Sequence, residues 1–271
     1  MTGALPESVT LVGAGRMGGA MLRGWLAGGL DPAGTVVIDP QVPPETQAFC
    51  LECGVRLNPD EPRPASILVL AIKPQGLEVA APTLAAMIGA DSLVISILAG
   101  KTLENLRTRL PNAHALVRAM PNLPASIGRG ATGAVASPDT TEAQRAQAHA
   151  LLACSGIVEW LDDEAQIDAL TALSGSGPAY VFLLAEAMTE AGIQAGLPAD
   201  MAARLARATV SGAGALLEAS PVEAAHLRRG VTSPGGTTAA ALDVLMRGGG
   251  LPDLMRDAVA AAARRAGELA G

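Results

Sequence analysis

The segment 13-GAGRMG-18 constrains this chain more than any other stretch. It follows the apolar strand candidate 8–12 and opens the helical stretch 17–27. Glycines at G-x-G-x-x-G spacing between a strand and a helix serve three separate purposes. Gly13 permits a tight turn, Gly15 lets a pyrophosphate approach the backbone, and Gly18 lets the helix pack closely on the strand. The helix start at Arg16 and Met17 adds free N–H groups and partial positive charge. The spacing therefore predicts a dinucleotide cradle built from Gly13, Gly15, Arg16, Met17 and Gly18. Asp39 ends the next strand candidate, 35-TVVID-39, 21 residues past Gly18. A carboxylate there can accept both ribose hydroxyls of NAD and repels a 2′-phosphate. The segment 39-DPQVPP-44 carries no Arg or Lys to offset that repulsion, so Asp39 leans toward NADH over NADPH. The alternative is that Asp39 only caps the turn that follows.

The first ~160 residues continue the same alternation. Strand candidates recur at 67-ILVLAI-72, 93-LVISIL-98, 115-ALVRAM-120, 131-ATGAVA-136 and 157-IVEWL-161, with helical stretches such as 142–155 between them. Continuous apolar runs suit strands buried on both faces of a parallel sheet. Alternating β and α implies a doubly wound α/β sheet. Ligands in such sheets sit beyond the carboxyl ends of the strands. Lys73, after 67–72, and Asn122, after 115–120, are therefore pocket candidates, with Pro74 and Pro121 shaping the turns.

The pattern changes near Asp162-Asp163-Glu164, and the expected boundary divides residues 1–163 from an all-α part, 164–271. The helical stretch 166–174 stops at 175-GSGP-178. Pro178 suits the first turn of the next helix, and Gly196 suits its C-terminal cap. Helices to about 219 and at about 221–229, 237–247 and 252–269 complete the chain. Their apolar faces, rich in alanine and glycine, predict association of chains through this half.

A second glycine loop lies there, 231-VTSPGGTTAA-240. Glycines leave backbone N–H groups open, and Thr237 and Thr238 are expected at a helix start with their hydroxyls capping free N–H groups. The loop reads either as an anion cradle sized for a small carboxylate or as a helix cap that binds nothing. Hydroxy-acid oxidation needs a His or Lys near the carbinol. The only lysines are Lys73 and Lys101, and the helical half offers only His226. Imine reduction demands less, because a neutral Thr hydroxyl can orient or protonate the imine nitrogen.

Composition narrows the function classes. A formal net charge of −7 argues against a nucleic-acid partner, and 2% aromatic residues argue against base-stacking platforms. Hydrophobic residues at 49% and charged residues at 17% allow a sizeable core. No uninterrupted apolar run approaches the ~18 residues of a membrane span, and the N-terminus lacks signal-peptide character. Neither a membrane nor a secretory route is expected. Cys50, Cys53 and Cys154 make no disulfide framework, which fits a reducing cytoplasm. Cys50 and Cys53 are expected as small residues on a helix. His114, His149 and His226 are too scattered to be a ligand set, and no metal site is expected.

Three segments together resemble the pyrroline-5-carboxylate reductase family: 117-VRAMPNLPASIGRGATG-133, 170-LTALSGSGPAYVFLLAEAM-188 and 232-TSPGGTTAAALDVL-245. With 12-VGAGRMG-18 and 71-AIKPQ-75 the similarity runs from residue 8 to about 265. The resemblance implies a Rossmann domain followed by a helical dimerisation domain. It implies NAD(P)H-dependent reduction of Δ1-pyrroline-5-carboxylate to L-proline. It places Thr238 beside the imine nitrogen and Ser233, Gly236 and Thr237 on the carboxylate. Gly175, Ser176 and Pro178 would line the same pocket, with Met120, Pro121 and Asn122 near the nicotinamide. Assemblies in the family range from dimers to rings of dimers, and a partner subunit generally supplies the second glycine loop. Asp39 departs from the family's usual small or neutral residue, which puts an NADPH preference in doubt. Two other readings stay open on the residues alone. One is a β-hydroxyacid dehydrogenase, disfavoured by the missing lysine; the other is a nucleotide sensor, which needs no second cradle.

Overall fold

The computed structural model describes residues 4–61 and 63–270. The chain forms two compact units. The first runs through Gly175 and takes in the last turns of the C-terminal helix from Ala263; the second is Ser176–Ala262.

The first unit is built on one eight-stranded sheet. Its strands are β1 (Val9–Val12), β2 (Thr35–Ile38), β3 (Arg56–Leu57), β4 (Ala65–Leu70), β5 (Ile88–Ser96), β6 (Ala115–Met120), β7 (Gly130–Ala136) and β8 (Gly156–Trp160). Helices α1 (Arg16–Ala27), α2 (Pro44–Cys53), α3 (Leu77–Ala86), α4 (Leu103–Arg109), α5 (Glu142–Ala153) and α6 (Gln166–Leu170) accompany it. The strand order is β3-β2-β1-β4-β5-β6-β7-β8, so the winding reverses between β1 and β4. A crevice at such a switch point is where doubly wound sheets take ligands.

Alternation along the strands explains the layers. Ile67 and Val69 of β4 point into one apolar cluster with Met21, Leu22 and Trp25 of α1. Leu68 and Leu70 point into a second cluster, with Leu77 and Leu84 of α3 and Leu106 of α4. Successive side chains on a strand face opposite ways, so a continuous apolar run fills both layers. Trp25 is fully buried, and its Nε1–H donates to the Leu151 carbonyl at 3.0 Å, which ties α1 to α5.

All seven expected strands are present. Two features of the sheet depart from the expectation. The edge strand β3 is only two residues long and pairs parallel to β2. β7 runs antiparallel to β6, with Met120 opposite Gly133. The connection 121–129 is a short 3₁₀ turn closed by Gly128 at φ 71°, too short to cross over and return parallel.

α4 and α5 start with reciprocal capping boxes, Thr102 with Asn105 and Thr141 with Gln144. After α6 the chain winds wider through Thr171–Gly175, a π turn. Arg118 of β6, 7% exposed in its side chain, donates to Glu164 at 2.7 Å. The same Glu164 oxygen accepts the Leu103 N–H at 2.8 Å. This buried pair anchors the segment after β8 to the sheet and to the start of α4.

The second unit contains α7 (Gly177–Gln194), α8 (Ala199–Ala219), α9 (Ala224–Gly230), α10 (Thr237–Leu245) and most of α11 (Leu251–Ala270). α7 ends at Gln194 with Ala195, not the expected Gly196, as its C-cap; Gly196 follows at a φ of 100°, which suits glycine, and its N–H donates to the Ile193 carbonyl at 2.9 Å. α7 then packs on α8, where Gly192 sits close against Ala202. Within the chain this unit buries little: Phe182, Leu183, Leu205, Leu216 and Leu217 are each more than half exposed. The helical run Gln166–Gln194 is long and apolar enough to cross a membrane by length and composition, although the sequence held no uninterrupted apolar run of that length.

Candidate active site

The first glycine loop follows β1 at the switch point, and each glycine is explained by its surroundings. Gly13 has φ 96°, and its N–H donates to the Ile38 carbonyl at 2.8 Å. A Cβ on Gly13 would lie 2.6 Å from the Ala71 backbone, so only glycine fits. A Cβ on Gly18 would lie 2.1 Å from the Gly13 carbonyl oxygen, so α1 can press on the loop only without a side chain there. Gly15 is the opposite case: a Cβ there meets nothing within 4 Å. The protein leaves the space beside Gly15 open, as an approaching pyrophosphate requires. Gly15 is also the N-cap of α1, with no side-chain cap and no acidic residue in the first turn. Arg16 is exposed and Met17 half-buried at that start. The cradle therefore fits a dinucleotide.

Asp39 reaches back to this loop. One carboxylate oxygen accepts the Ala14 N–H at 2.7 Å, and the other accepts the Gln41 N–H at 2.7 Å. Asp39 thus caps its own turn and also fixes the glycine loop. Asn58 holds Asp39 in turn, accepting its N–H and donating to its carbonyl, both at 2.8 Å. Asn58 adopts φ 47°, a left-handed conformation that asparagine tolerates. Sequence reasoning passed over Asn58; the only signal was an asparagine ahead of a proline in a polar turn.

Lys73 is exposed where the chain leaves β4, just ahead of the 3₁₀ turn Pro74–Gly76. Met120 ends β6, followed by buried Pro121 and Asn122. Asn122 uses both ends of its amide on backbone. Its Oδ1 accepts the Ala131 N–H at 2.9 Å, and its Nδ2 donates to the Ser174 carbonyl at 3.0 Å. Gly175 lies beside Met120, with the Met120 Cε 3.3 Å from where a Cβ would be. The first unit therefore brings Gly175 to Met120, and its neighbour Ser174 to Asn122, from more than fifty residues away in the chain.

In the second unit, Ser176 precedes α7 and Pro178 lies in its first turn. The second glycine loop turns at Gly235, φ 70°, and the Gly236 N–H closes on the Ser233 carbonyl at 3.0 Å. The expected capping by threonine is corrected here. Gly236 is the N-cap of α10, no side chain caps the helix, and Thr237 and Thr238 are its first two residues. Their hydroxyls do not cap the N–H groups of the first turn. Among the described residues neither hydroxyl has a hydrogen-bond partner, and Ala240 makes the first helical bond, to Gly236. The first turn of α10 thus has N–H groups with no side-chain cap, the kind of helix start that can hold an anion.

Other chemistries find little support. Cys50 and Cys53 sit on α2, and all three cysteines are free. Burial, then the neighbouring Cys53, pushes the Cys50 thiol up; burial also raises Cys154. Neither suits a reactive thiolate. No metal-binding group of His, Cys, Asp or Glu occurs among the described residues. His149 accepts from Trp160 at 3.3 Å, a packing role. A groove of 390 Å³ runs along β1 and β2 past Ser8, Thr10, Val36 and Arg56, but no candidate site residue lines it.

A doubly wound sheet with a glycine cradle at its switch point, followed in the chain by a helical unit with its own glycine loop, defines a two-part dinucleotide-dependent oxidoreductase. Comparison with known proteins makes this specific. Residues 164–269 match the family model of pyrroline-5-carboxylate reductase dimerisation. Residues 8–100 match a model described as coenzyme F420-dependent NADP oxidoreductase. The chain is 40% identical to the pyrroline-5-carboxylate reductase of Pseudomonas aeruginosa, over 97% of this chain and 96% of that one. It is similar to the structure of a pyrroline-5-carboxylate reductase from Coxiella burnetii, with 36% identity, TM-score 0.90 and 99% of each chain covered. It shares its fold with a Plasmodium falciparum pyrroline carboxylate reductase with NADP bound, at 24% identity, TM-score 0.81 and coverage of 99% and 100%. The chain belongs to the pyrroline-5-carboxylate reductase family.

Proposed function

We propose that the chain reduces the imine of Δ1-pyrroline-5-carboxylate to L-proline with NADH or NADPH, the last step of proline biosynthesis, and that its two glycine loops divide the anions between them. The observation that carries this division is the uncapped start of α10, with its partnerless threonine hydroxyls. The loop of Gly13, Gly15 and Gly18 holds the pyrophosphate, with Arg16, Met17 and Lys73 around it. Met120, Pro121 and Asn122 shape the nicotinamide end. When bound, the reduced nicotinamide supplies the hydride. Ser233, Gly236 and Thr237 clamp the substrate carboxylate, while Gly175, Ser176 and Pro178 shape the ring pocket. Thr238 places its hydroxyl at the imine nitrogen and relays a proton as the carbon is reduced: its own proton goes to the nitrogen and one from water replaces it. A hydroxyl suffices because hydride addition turns the imine nitrogen into a strongly basic amine.

Asp39 tunes the choice of dinucleotide. Its carboxylate supports ribose hydroxyls and the glycine loop, and it repels a 2′-phosphate, which favours NADH. The working enzyme is cytoplasmic and at least a homodimer, with the functional division near 163/164. The exposed apolar faces of α7 and α8 are covered by another copy of the chain. The helical run 166–194 lies wholly within the stretch matched by the dimerisation model, which favours a partner chain over a membrane as its cover.

The clamp is tested by ligand chemistry. L-proline added to the NAD⁺-loaded protein should raise its unfolding temperature, and pyrrolidine, which lacks the carboxylate, should not. Equal shifts from the two would remove the carboxylate clamp from the account.

A further inference from the structure

We propose that Asn122 is a positioning residue: its side-chain amide locks the turn ending at Gly175 to the end of β6, and so fixes Met120 against Gly175. This rests on the reductase reading above. The amide spans the chain, taking the Ala131 N–H at the start of β7 and giving its own N–H to the Ser174 carbonyl. Ser174 needs that donor for a covalent reason. A carbonyl at position 174 in a continuous helix would accept from the N–H of residue 178, and residue 178 is proline, with none to give. The chain widens into a π turn over these residues, a form frequent at functional sites. The Ser174 hydroxyl is no substitute, because it turns back to the Leu170 carbonyl at 3.1 Å. Asn122 is only 8% exposed, so water has little access to repair a lost bond.

The chemistry of the position is directional. One end of the side chain must accept and the other must donate, which an amide does and a carboxylate does not. The lock holds the nicotinamide-side residue Met120 and the substrate-side residue Gly175 as one piece. Misplacement of reacting groups by about 1 Å costs on the order of 10²-fold in rate.

The test is Asn122→Asp. Ionised, the new side chain still accepts from Ala131 but presents negative charge to the Ser174 carbonyl. Protonated, it matches the amide: O–H donates to Ser174 and C=O accepts from Ala131. The variant's kcat, as a ratio to wild type at each pH, should be about tenfold or more down at pH 8 and should recover toward pH 5. The pyrophosphate loop is untouched, so the loss should fall on kcat more than on the KM for the dinucleotide. A ratio of one at every pH, or a loss equal at every pH, would overturn the proposal. If this variant does not fold, Asn122→Ala removes the amide without adding charge. It should lower kcat with the same KM pattern, and an unchanged kcat would overturn the proposal. Wild-type protein measured alongside separates the two ideas. An inactive wild type indicts the reductase reading, while an active wild type matched by its variants indicts only the lock.

Discussion

Replacing Gly15 with alanine should separate binding from folding. A Cβ there meets no protein atom within 4 Å, and the backbone φ of −64° is one any residue adopts. Alanine is a poorer N-cap than glycine, at a cost of about 0.5–1 kcal/mol. Its lower freedom in the unfolded chain offsets that by ~0.4–1 kcal/mol. The net change is within about 1 kcal/mol, or roughly 2–4 °C in Tm for a domain of this size. The new methyl group instead fills the space kept for the pyrophosphate. Losing one charge-assisted hydrogen bond there costs about 1.5–3 kcal/mol, which weakens dinucleotide binding roughly tenfold to a hundredfold. Gly18→Ala is the control. Its Cβ would lie 2.1 Å from the Gly13 carbonyl oxygen, so it should lose stability as well as binding. Isothermal titration with NADH and a thermal scan of each variant measure both effects. A Gly15→Ala protein that binds NADH as wild type does would refute this account of the loop.

Further outcomes follow from other residues. Thr238→Ala should lower kcat by tens-fold or more with little change in Tm, since its hydroxyl makes no hydrogen bond among the described residues; steady-state kinetics and a thermal scan check both halves. Asp39→Ser should raise the NADPH-to-NADH ratio of kcat/KM while weakening both, because the same carboxylate holds the Ala14 N–H. Glu164→Ala strands the buried Arg118 and should cost about 3–5 kcal/mol in denaturant unfolding, more than Arg118→Ala, whose stranded partner is better exposed. The Cys50 thiol lies above its ordinary range when folded, so folding holds its proton. Below that range it contributes nothing; as pH rises through it, the unfolded thiol ionises first and stability falls. Cys50→Ala should therefore flatten the alkaline loss of Tm.

Much of this molecule was legible in the sequence because the signals were local. Seven strands could be read from apolar runs, and the three glycines of the first loop from their spacing between a strand and a helix. What escaped depends on distant partners or on very short elements. β3 is too short to show any periodicity, and a sequence run such as 131-ATGAVA-136 does not state its direction. The threonines of the second loop were read as caps because residue type suggests it, yet capping depends on where the helix begins, and Gly236 takes that place. Asn122 looked like a ligand-facing residue; its partners Ser174 and Ala131 are fixed by the fold alone. Asn58 and the Arg118–Glu164 pair were hidden for the same reason. Conversely, the glycine at position 15 was read for what it leaves empty, and the structure keeps that space clear.

The central claim is imine reduction at the expense of a nicotinamide. Its most direct test is the fall in reduced-nicotinamide absorbance when purified protein meets Δ1-pyrroline-5-carboxylate, with NADH and NADPH in parallel and proline measured as product. The account predicts oxidation of the dinucleotide matched mole for mole by proline, with NADH the better donor. Folded, self-associated protein that oxidises neither dinucleotide would contradict it.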